Sequence, residues 1–272
     1  NESYIRYVDS DDNGIVDGSV NGDITFERQL NGTQNWFYLA SPQDDGGSND
    51  TFTAFLETGG SEGLLTKGVQ GSDEPGLAEA SLRLYDETAP GSINPSGDAV
   101  DAGWKGIDCS GYTDCVSGMG SQMLSGRGYA VYVYNNGKGF PKTITSDVGP
   151  VTSDTSFAYA TSDGSATSEG PGIFATDNDS DGIDADEGWN LLGNPYFATI
   201  DFCTVRNNGG TEDIKPTVEV WDPSSTDGQS TDGYASYNCT SESGAGTNTT
   251  LTNGYIAPHQ AFFVKAEPNG GD

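Results

Sequence analysis

Apolar positions along this chain fall into short blocks that alternate with polar ones. Long runs of Gly, Ser, Thr, Asn and Asp separate the blocks. A two-residue period bounded by turn formers predicts strands joined by loops. Gly188-Trp189-Asn190-Leu191-Leu192-Gly193-Asn194-Pro195-Tyr196 reads as a buried strand halted by a Gly-Asn-Pro turn. Asn35-Trp36-Phe37-Tyr38-Leu39-Ala40-Ser41-Pro42 has the same shape: Trp, Leu three residues on, two small or polar residues, then Pro. Two further pairs follow in the same order. Leu82-Arg83-Leu84-Tyr85-Asp86 matches Val218-Glu219-Val220-Trp221-Asp222, and Gly128 to Tyr134 matches Gln260 to Ala266.

Three ordered matches predict an internal duplication. The expected fold class is all-β: two tandem, internally homologous, jelly-roll-like β-sandwich units, loop-rich and packed together. An arm over 1–18 precedes units at 19–145 and 146–272. Residues 23–30 alternate as a half-buried strand, and 129–134 read as a central strand buried on both faces. Lys142–Val148 and 156–161 read as strands bridging the units. No long stretch carries apolar residues at three- and four-residue spacing, so helices are not expected.

Composition narrows the function. Hydrophobic residues make up 33%, with Gly 39 and Pro 12, which fits a loop-rich β protein. A formal net charge of −30, from Lys+Arg 11 against Asp+Glu 41, excludes nucleic acid and anionic membrane surfaces as partners. No apolar run reaches spanning length, so membrane insertion is not expected. The Asp residues concentrate in loops, which favours turn chemistry and divalent cations. Scarce Lys also fits a saline habitat, where screening relieves self-repulsion.

Two acidic loops carry the cation pattern. Asp9, Asp11, Asn13 and Asp17 place oxygen ligands at alternate positions around a Gly bend, as in the front half of a calcium loop. Asp177, Asp179 and Asp181 begin a second such loop, with Asp184, Asp186 and Glu187 supplying later ligands. Calcium is the expected cofactor, and the alternative is a solvated Asp/Asn turn at each place.

Four cysteines allow three connectivities. Pairing Cys109 with Cys115 and Cys203 with Cys239 respects the repeat, while free buried thiols remain the alternative. Zinc is disfavoured: no CxxC spacing exists and His259 is the single histidine. Two disulfides imply an oxidising, extra-cytoplasmic setting. With no signal peptide at Asn1, the chain reads as a mature exported product.

The arm residues Tyr4, Ile5, Tyr7 and Val8 suit an edge strand of the first unit or a strand donated to a neighbour. No catalytic constellation stands out, so an enzyme is not expected. His259 is the only base available to a nucleophilic triad, and it sits in a Pro-His-Gln turn. Trp104, Tyr112 and Tyr234, read as loop aromatics beside Asp and Asn, are candidate glycan contacts. Their alternative role is to close the ends of the β core.

The stretch from Gly188 to Tyr196, then Ile200-Asp201-Phe202, and the closing Ile256-Ala257-Pro258-His259-Gln260-Ala261-Phe262-Phe263-Val264-Lys265-Ala266 resemble a module of long surface proteins. Such proteins are exported by Bacteroidota and related bacteria, including Rhodothermota, through the type IX secretion route. Phe26 to Thr33 followed by Trp36 is similar to the start of that module. The resemblance implies an extracellular or surface-attached β protein and transfers no catalytic residue. It also implies a C-terminal sorting domain, which does not follow Glu267 to Asp272; either it was cleaved on export or the chain is a portion of a longer product. Together these readings lead to the expectation of a secreted structural subunit that self-assembles into a homopolymer, a calcium-stabilised surface filament or matrix. The alternative is a carbohydrate-binding or adhesive cell-surface module that takes extracellular glycans.

Overall fold

The computed structural model describes residues 24–40, 64, 67, 80–87, 92–93, 99–100, 103–107, 115–116, 126–135, 139–148, 158–159, 172–173, 188–194, 196, 198–208, 214–223, 233–246 and 251–266. The described chain is all-β apart from one short helix. The first half forms β1 (Ile24–Leu30), β2 (Asn35–Ala40), β3 (Leu82–Tyr85), β4 (Ser92–Ile93), β5 (Ala99–Val100), β6 (Trp104–Ile107), β7 (Cys115–Val116), β8 (Gly128–Val133) and β9 (Lys142–Val148). The second forms β10 (Ala158–Tyr159), β11 (Gly172–Ile173), β12 (Trp189–Gly193), β13 (Ile200–Asp201), α1 (Phe202–Asn208), β14 (Ile214–Trp221), β15 (Tyr234–Asn238), β16 (Ser243–Gly246), β17 (Tyr255–Ile256) and β18 (Ala261–Ala266).

Each half contributes one five-stranded sheet, in the orders β2-β8-β3-β6-β7 and β12-β18-β14-β15-β16. The order Trp strand, closing strand, aromatic-Asp strand is therefore the same in both. Registers agree residue by residue. Trp36 faces Tyr132 as Trp189 faces Lys265, and Ala40 faces Gly128 as Gly193 faces Ala261. Arg83 faces Ala130 as Glu219 faces Phe263. The fourth strands correspond too: Tyr85 pairs with Trp104 as Trp221 pairs with Tyr234. That last match, Gly103-Trp104 with Gly233-Tyr234, is too short to detect in the sequence.

Alternation along the strands gives each sheet two apolar faces. One face of the first sheet presents Phe37, Leu39, Leu82, Leu84, Tyr129, Val131 and Val133, covered by Leu30 of β1, Ile144 of β9 and Leu64. One face of the second presents Leu192, Val218, Val220, Phe262 and Val264, covered by Phe202 of α1, Ile214 and Ile256. The other faces meet each other, with Tyr38, Tyr85 and Trp104 packed against Leu191, Ala261 and Phe263. Burying a Leu, Val or Phe fully contributes about 1.5–3 kcal/mol, so each half holds its own core and shares an aromatic layer.

Several expectations need correction. β9 does not bridge the halves; it pairs along its whole length with β1, Leu30 against Lys142 and Ile24 against Val148. Ala158–Tyr159 pairs with Gly172–Ile173 inside the second half. A helix also exists. Asp201 caps it, accepting from the Cys203 and Thr204 amides at 3.1 and 3.2 Å and from the Thr204 hydroxyl at 2.9 Å. At its other end Arg206 donates through Nε to the Ile214 carbonyl at 2.8 Å. The helix is one local turn nucleated by a cap, and seven residues are too few for a visible period. No helix among the described residues is long and apolar enough to cross a membrane.

Candidate functional site

The seam between the two sheets obeys a pseudo-two-fold. Ala40 donates its amide to the His259 carbonyl at 3.0 Å, and Gly193, the counterpart of Ala40, donates to Gly126, the counterpart of His259, at 2.8 Å. Isolated bridges join Leu39 to Gln260 and, reciprocally, Leu192 to Arg127. Residue i meets j while the partner of i meets the partner of j, which is the pattern of a symmetric dimer built into one chain. Small residues permit the approach. A Cβ on Gly128 would lie 2.8 Å from the Ala261 Cβ, and one on Gly193 would lie 2.5 Å from the Arg127 carbonyl and closer still to the Ala40 methyl.

Asn194 and His259 finish the seam at the two turns. Asn194 is fully buried; its Nδ2 donates to the Ala198 and Ile256 carbonyls at 2.8 and 3.1 Å, and its Oδ1 accepts from the Tyr196 amide at 2.9 Å. Asn194 is thus a buried polar knot at the end of β12. His259 is equally buried, at φ 58°. Burial first, then the neighbouring Arg28 guanidinium, lowers its pKa to about 3, against a smaller raising effect of a hydrogen bond to the Ala40 backbone. Arg28 donates to the Pro258 carbonyl at 3.0 Å, and desolvation of its guanidinium lowers its own pKa to about 10. A neutral, enclosed imidazole of this kind is a packing element of the seam.

The aromatic layer fills the rest. Tyr38 stacks on Trp221 with ring centroids 5.3 Å apart and 19° between planes, and its hydroxyl lies 2.8 Å from that of Tyr234. The Trp221 indole donates to the Trp36 carbonyl at 2.9 Å. Beside this stack opens a cavity of about 180 Å³ lined by Tyr85, Trp104, Trp189, Glu219, Tyr234 and Phe263. Phe263 forms its floor, buried, while the other five are half-buried. The rings stand on edge to Phe263: Tyr85 at 89°, Trp104 at 84°, Trp189 at 89° and Tyr234 at 64°. Partial burial of the Glu219 carboxyl raises its pKa.

Two of the three predicted glycan contacts, Trp104 and Tyr234, therefore converge on one cavity. Neither lies in a loop as expected; they begin β6 and β15. Each follows a glycine whose missing side chain leaves room for a cross-strand ring: Gly103 abuts Tyr85 and Gly233 abuts Trp221. Glu219, Tyr85, Trp189 and Phe263 were missed as site residues because they read simply as strand positions. Tyr112 lies outside the described residues. So do the assembly residues Tyr4, Ile5, Tyr7 and Val8 and all the candidate calcium ligands: Asp9, Asp11, Asn13 and Asp17, and Asp177, Asp179, Asp181, Asp184, Asp186 and Glu187. Among the described residues no group of three or more acidic, His or Cys side chains clusters to hold a metal.

Cys203 and Cys239 form a disulfide with Cα atoms 5.4 Å apart, tying α1 to the end of β15. Cys115 begins β7, but Cys109 lies outside the described residues, as does that pairing.

Residues 103–271 match the family model described as a domain of unknown function, DUF8693. The match starts at β6 and runs through β18, so it takes in strands of both sheets. No curated protein and no solved structure matches the chain.

Proposed function

We propose that this chain, which belongs to the DUF8693 family, is a non-enzymatic extracellular structural protein: a subunit of a secreted surface filament or matrix. The observation that carries this reading is the double-sheet body itself. A pseudo-two-fold seam joins the inner edges of the two halves, through β2 and β12, and leaves β7 and β16 as the far edge strands. β16 carries small side chains in Ser243-Gly244-Ala245-Gly246 and pairs with one strand, β15, among the described residues. Such edges are templates for a strand from another chain. The Cys203–Cys239 disulfide supports an oxidising compartment, in line with export through the type IX route. In this reading residues 1–8 are the donated strand, and calcium in the two acidic loops neutralises part of the −30 charge that would otherwise hold subunits apart.

Electron microscopy of the full chain with calcium and with a chelator tests it, alongside a variant lacking residues 1–8. Ordered fibres that loosen on chelation, and folded single particles from the truncated chain, are the expected outcomes. Single particles from the full chain in both conditions would discard the filament.

The convergence of Trp104 and Tyr234 favours a second reading, an adhesive surface module that binds glycans at the aromatic cavity. Glycan-array binding that disappears in Trp104→Ala would support it.

A further inference from the structure

The pseudo-two-fold relates the aromatic cavity to a second position in the molecule, and the two differ in charge and filling: Glu219 replaces Arg83, Phe263 replaces Ala130 and Lys265 replaces Tyr132. Trp189 corresponds to Trp36 and Glu219 to Arg83. At the first position the guanidinium of Arg83 lies over the Trp36 ring, 5.0 Å from its centroid. This half supplies its own cation to the indole face. In the second half Glu219 stands at the Arg83 position, so this part of the sheet carries a carboxylate in place of a guanidinium. The Glu219 carboxylate has no hydrogen-bond or ion-pair partner among the described residues. Lys265, at the Tyr132 position, sits 5.6 Å over the Trp189 ring and makes no ion pair with Glu219.

We propose that the cavity of Tyr85, Trp104, Trp189, Glu219, Tyr234 and Phe263 binds a compact organic cation, an alkylammonium or guanidinium group, beside the Glu219 carboxylate. Three features select this class. The rings meet Phe263 at 64–89°, so they stand up from it as walls. Aromatic walls around one carboxylate can offer π faces to a cation. The carboxylate adds a full negative charge inside a partly desolvated space, where it acts more strongly than in water. The volume, about 180 Å³, lies well below the ~300–1,000 Å³ of sites for drug-sized ligands and near the ~150 Å³ of a benzene-sized cavity. It accommodates a head group or a side-chain tip. The proposal is independent of whether the chain polymerises.

Titration of the full chain, followed by tryptophan fluorescence, tests it with choline, its neutral isostere 3,3-dimethylbutan-1-ol, and Nα-acetyl-arginine amide. Choline or the arginine amide should bind at least about tenfold more tightly than the alcohol. Preference for choline identifies a free small cation, and preference for the arginine amide identifies a side chain from another protein. Glu219→Gln should weaken binding of the cation and leave the alcohol unaffected. Glu219→Arg places the other half's guanidinium at this position and removes the carboxylate, so it should lose cation binding altogether. Equal affinity for choline and its isostere, no binding of either cation, or undiminished binding by Glu219→Arg would overturn the proposal.

Discussion

His259 occupies a position that few residues tolerate. Its φ of 58° lies in the left-handed region, its surface is fully covered, and its carbonyl accepts the Ala40 amide across the seam. A folded-state pKa near 3, below the ordinary 6.5, fixes the sign of its linkage. Between those values the unfolded chain binds a proton that the native chain refuses. Stability from this group is therefore complete above pH 6.5 and declines as pH falls toward 3, with a limiting slope of about 1.4 kcal/mol per unit. Glu219 acts in the opposite sense, because its raised pKa lets the folded state hold a proton longer. Comparing wild type with His259→Asn, which tolerates positive φ, isolates the histidine. Urea midpoints at pH 4.5 and 7 should differ less in the variant than in wild type; equal differences would show that the imidazole is not buried in its neutral form. The sequence marks His259 as the only histidine in a turn, yet nothing local in Pro-His-Gln signals burial, since the cover comes from Arg28 and Ala40, more than 200 residues away in the chain.

At the scale of elements, the second half owes its closure to a small group of cross-connections. The Cys203–Cys239 disulfide spans 36 residues and pins α1 and β15 over the core of Phe202, Ile214 and Ile256. Closing a loop of that length removes unfolded-state entropy worth about 4 kcal/mol in the chain-entropy account. Cys203→Ala with Cys239→Ala should lower the denaturant midpoint accordingly. The disulfide packs on the Phe202 side of the second sheet and the aromatic layer on the other, so the aromatic circular dichroism of the folded variant should stay close to wild type. A change of less than 1 kcal/mol would mean that packing alone holds the helix in place. Much of this level was legible. The strands at Trp36, Leu82, Gly128, Trp189, Val218 and Ala261 are compact apolar and aromatic blocks, and they recur in one chain order in both halves, as they do in one sheet order. Weaker elements escaped for physical reasons. The helix is shorter than two turns, and β6 and β15 are defined by a Gly-aromatic pair whose meaning depends on a ring from the neighbouring strand. The cavity was half legible: its aromatic members are conspicuous, whereas Glu219 gains significance only beside Arg83.

At the scale of the whole molecule, the pseudo-axis passes between residues that are counterparts of each other. Ala40 meets Gly193, and Ala261 meets Gly128; each crossing holds one methyl group and one glycine. A true homodimer would place the same residue on both sides of its axis, either two methyl groups in conflict or two glycines with a gap. A single chain with two corresponding halves escapes that constraint because the two positions can carry different residues. This gives a sharp expectation for a double-mutant cycle. Gly193→Ala adds a second methyl at a crowded crossing and should cost about 1–3 kcal/mol, as overpacking does. Ala40→Gly alone removes the native methyl and should cost less, about 1 kcal/mol from backbone entropy and lost packing. Made together, the two substitutions move the methyl from one side of the axis to the other. The Arg127 carbonyl, 2.5 Å from a Cβ at position 193, leaves some residual cost. The pair should nonetheless recover at least about half of the Gly193→Ala penalty, a coupling of the size seen between residues in direct contact. Additive losses in chemical denaturation would mean that the halves adjust around position 193 independently of Ala40. The seam would then be a loose contact between two sheets, and the molecule would have to be regarded as two bodies on one chain.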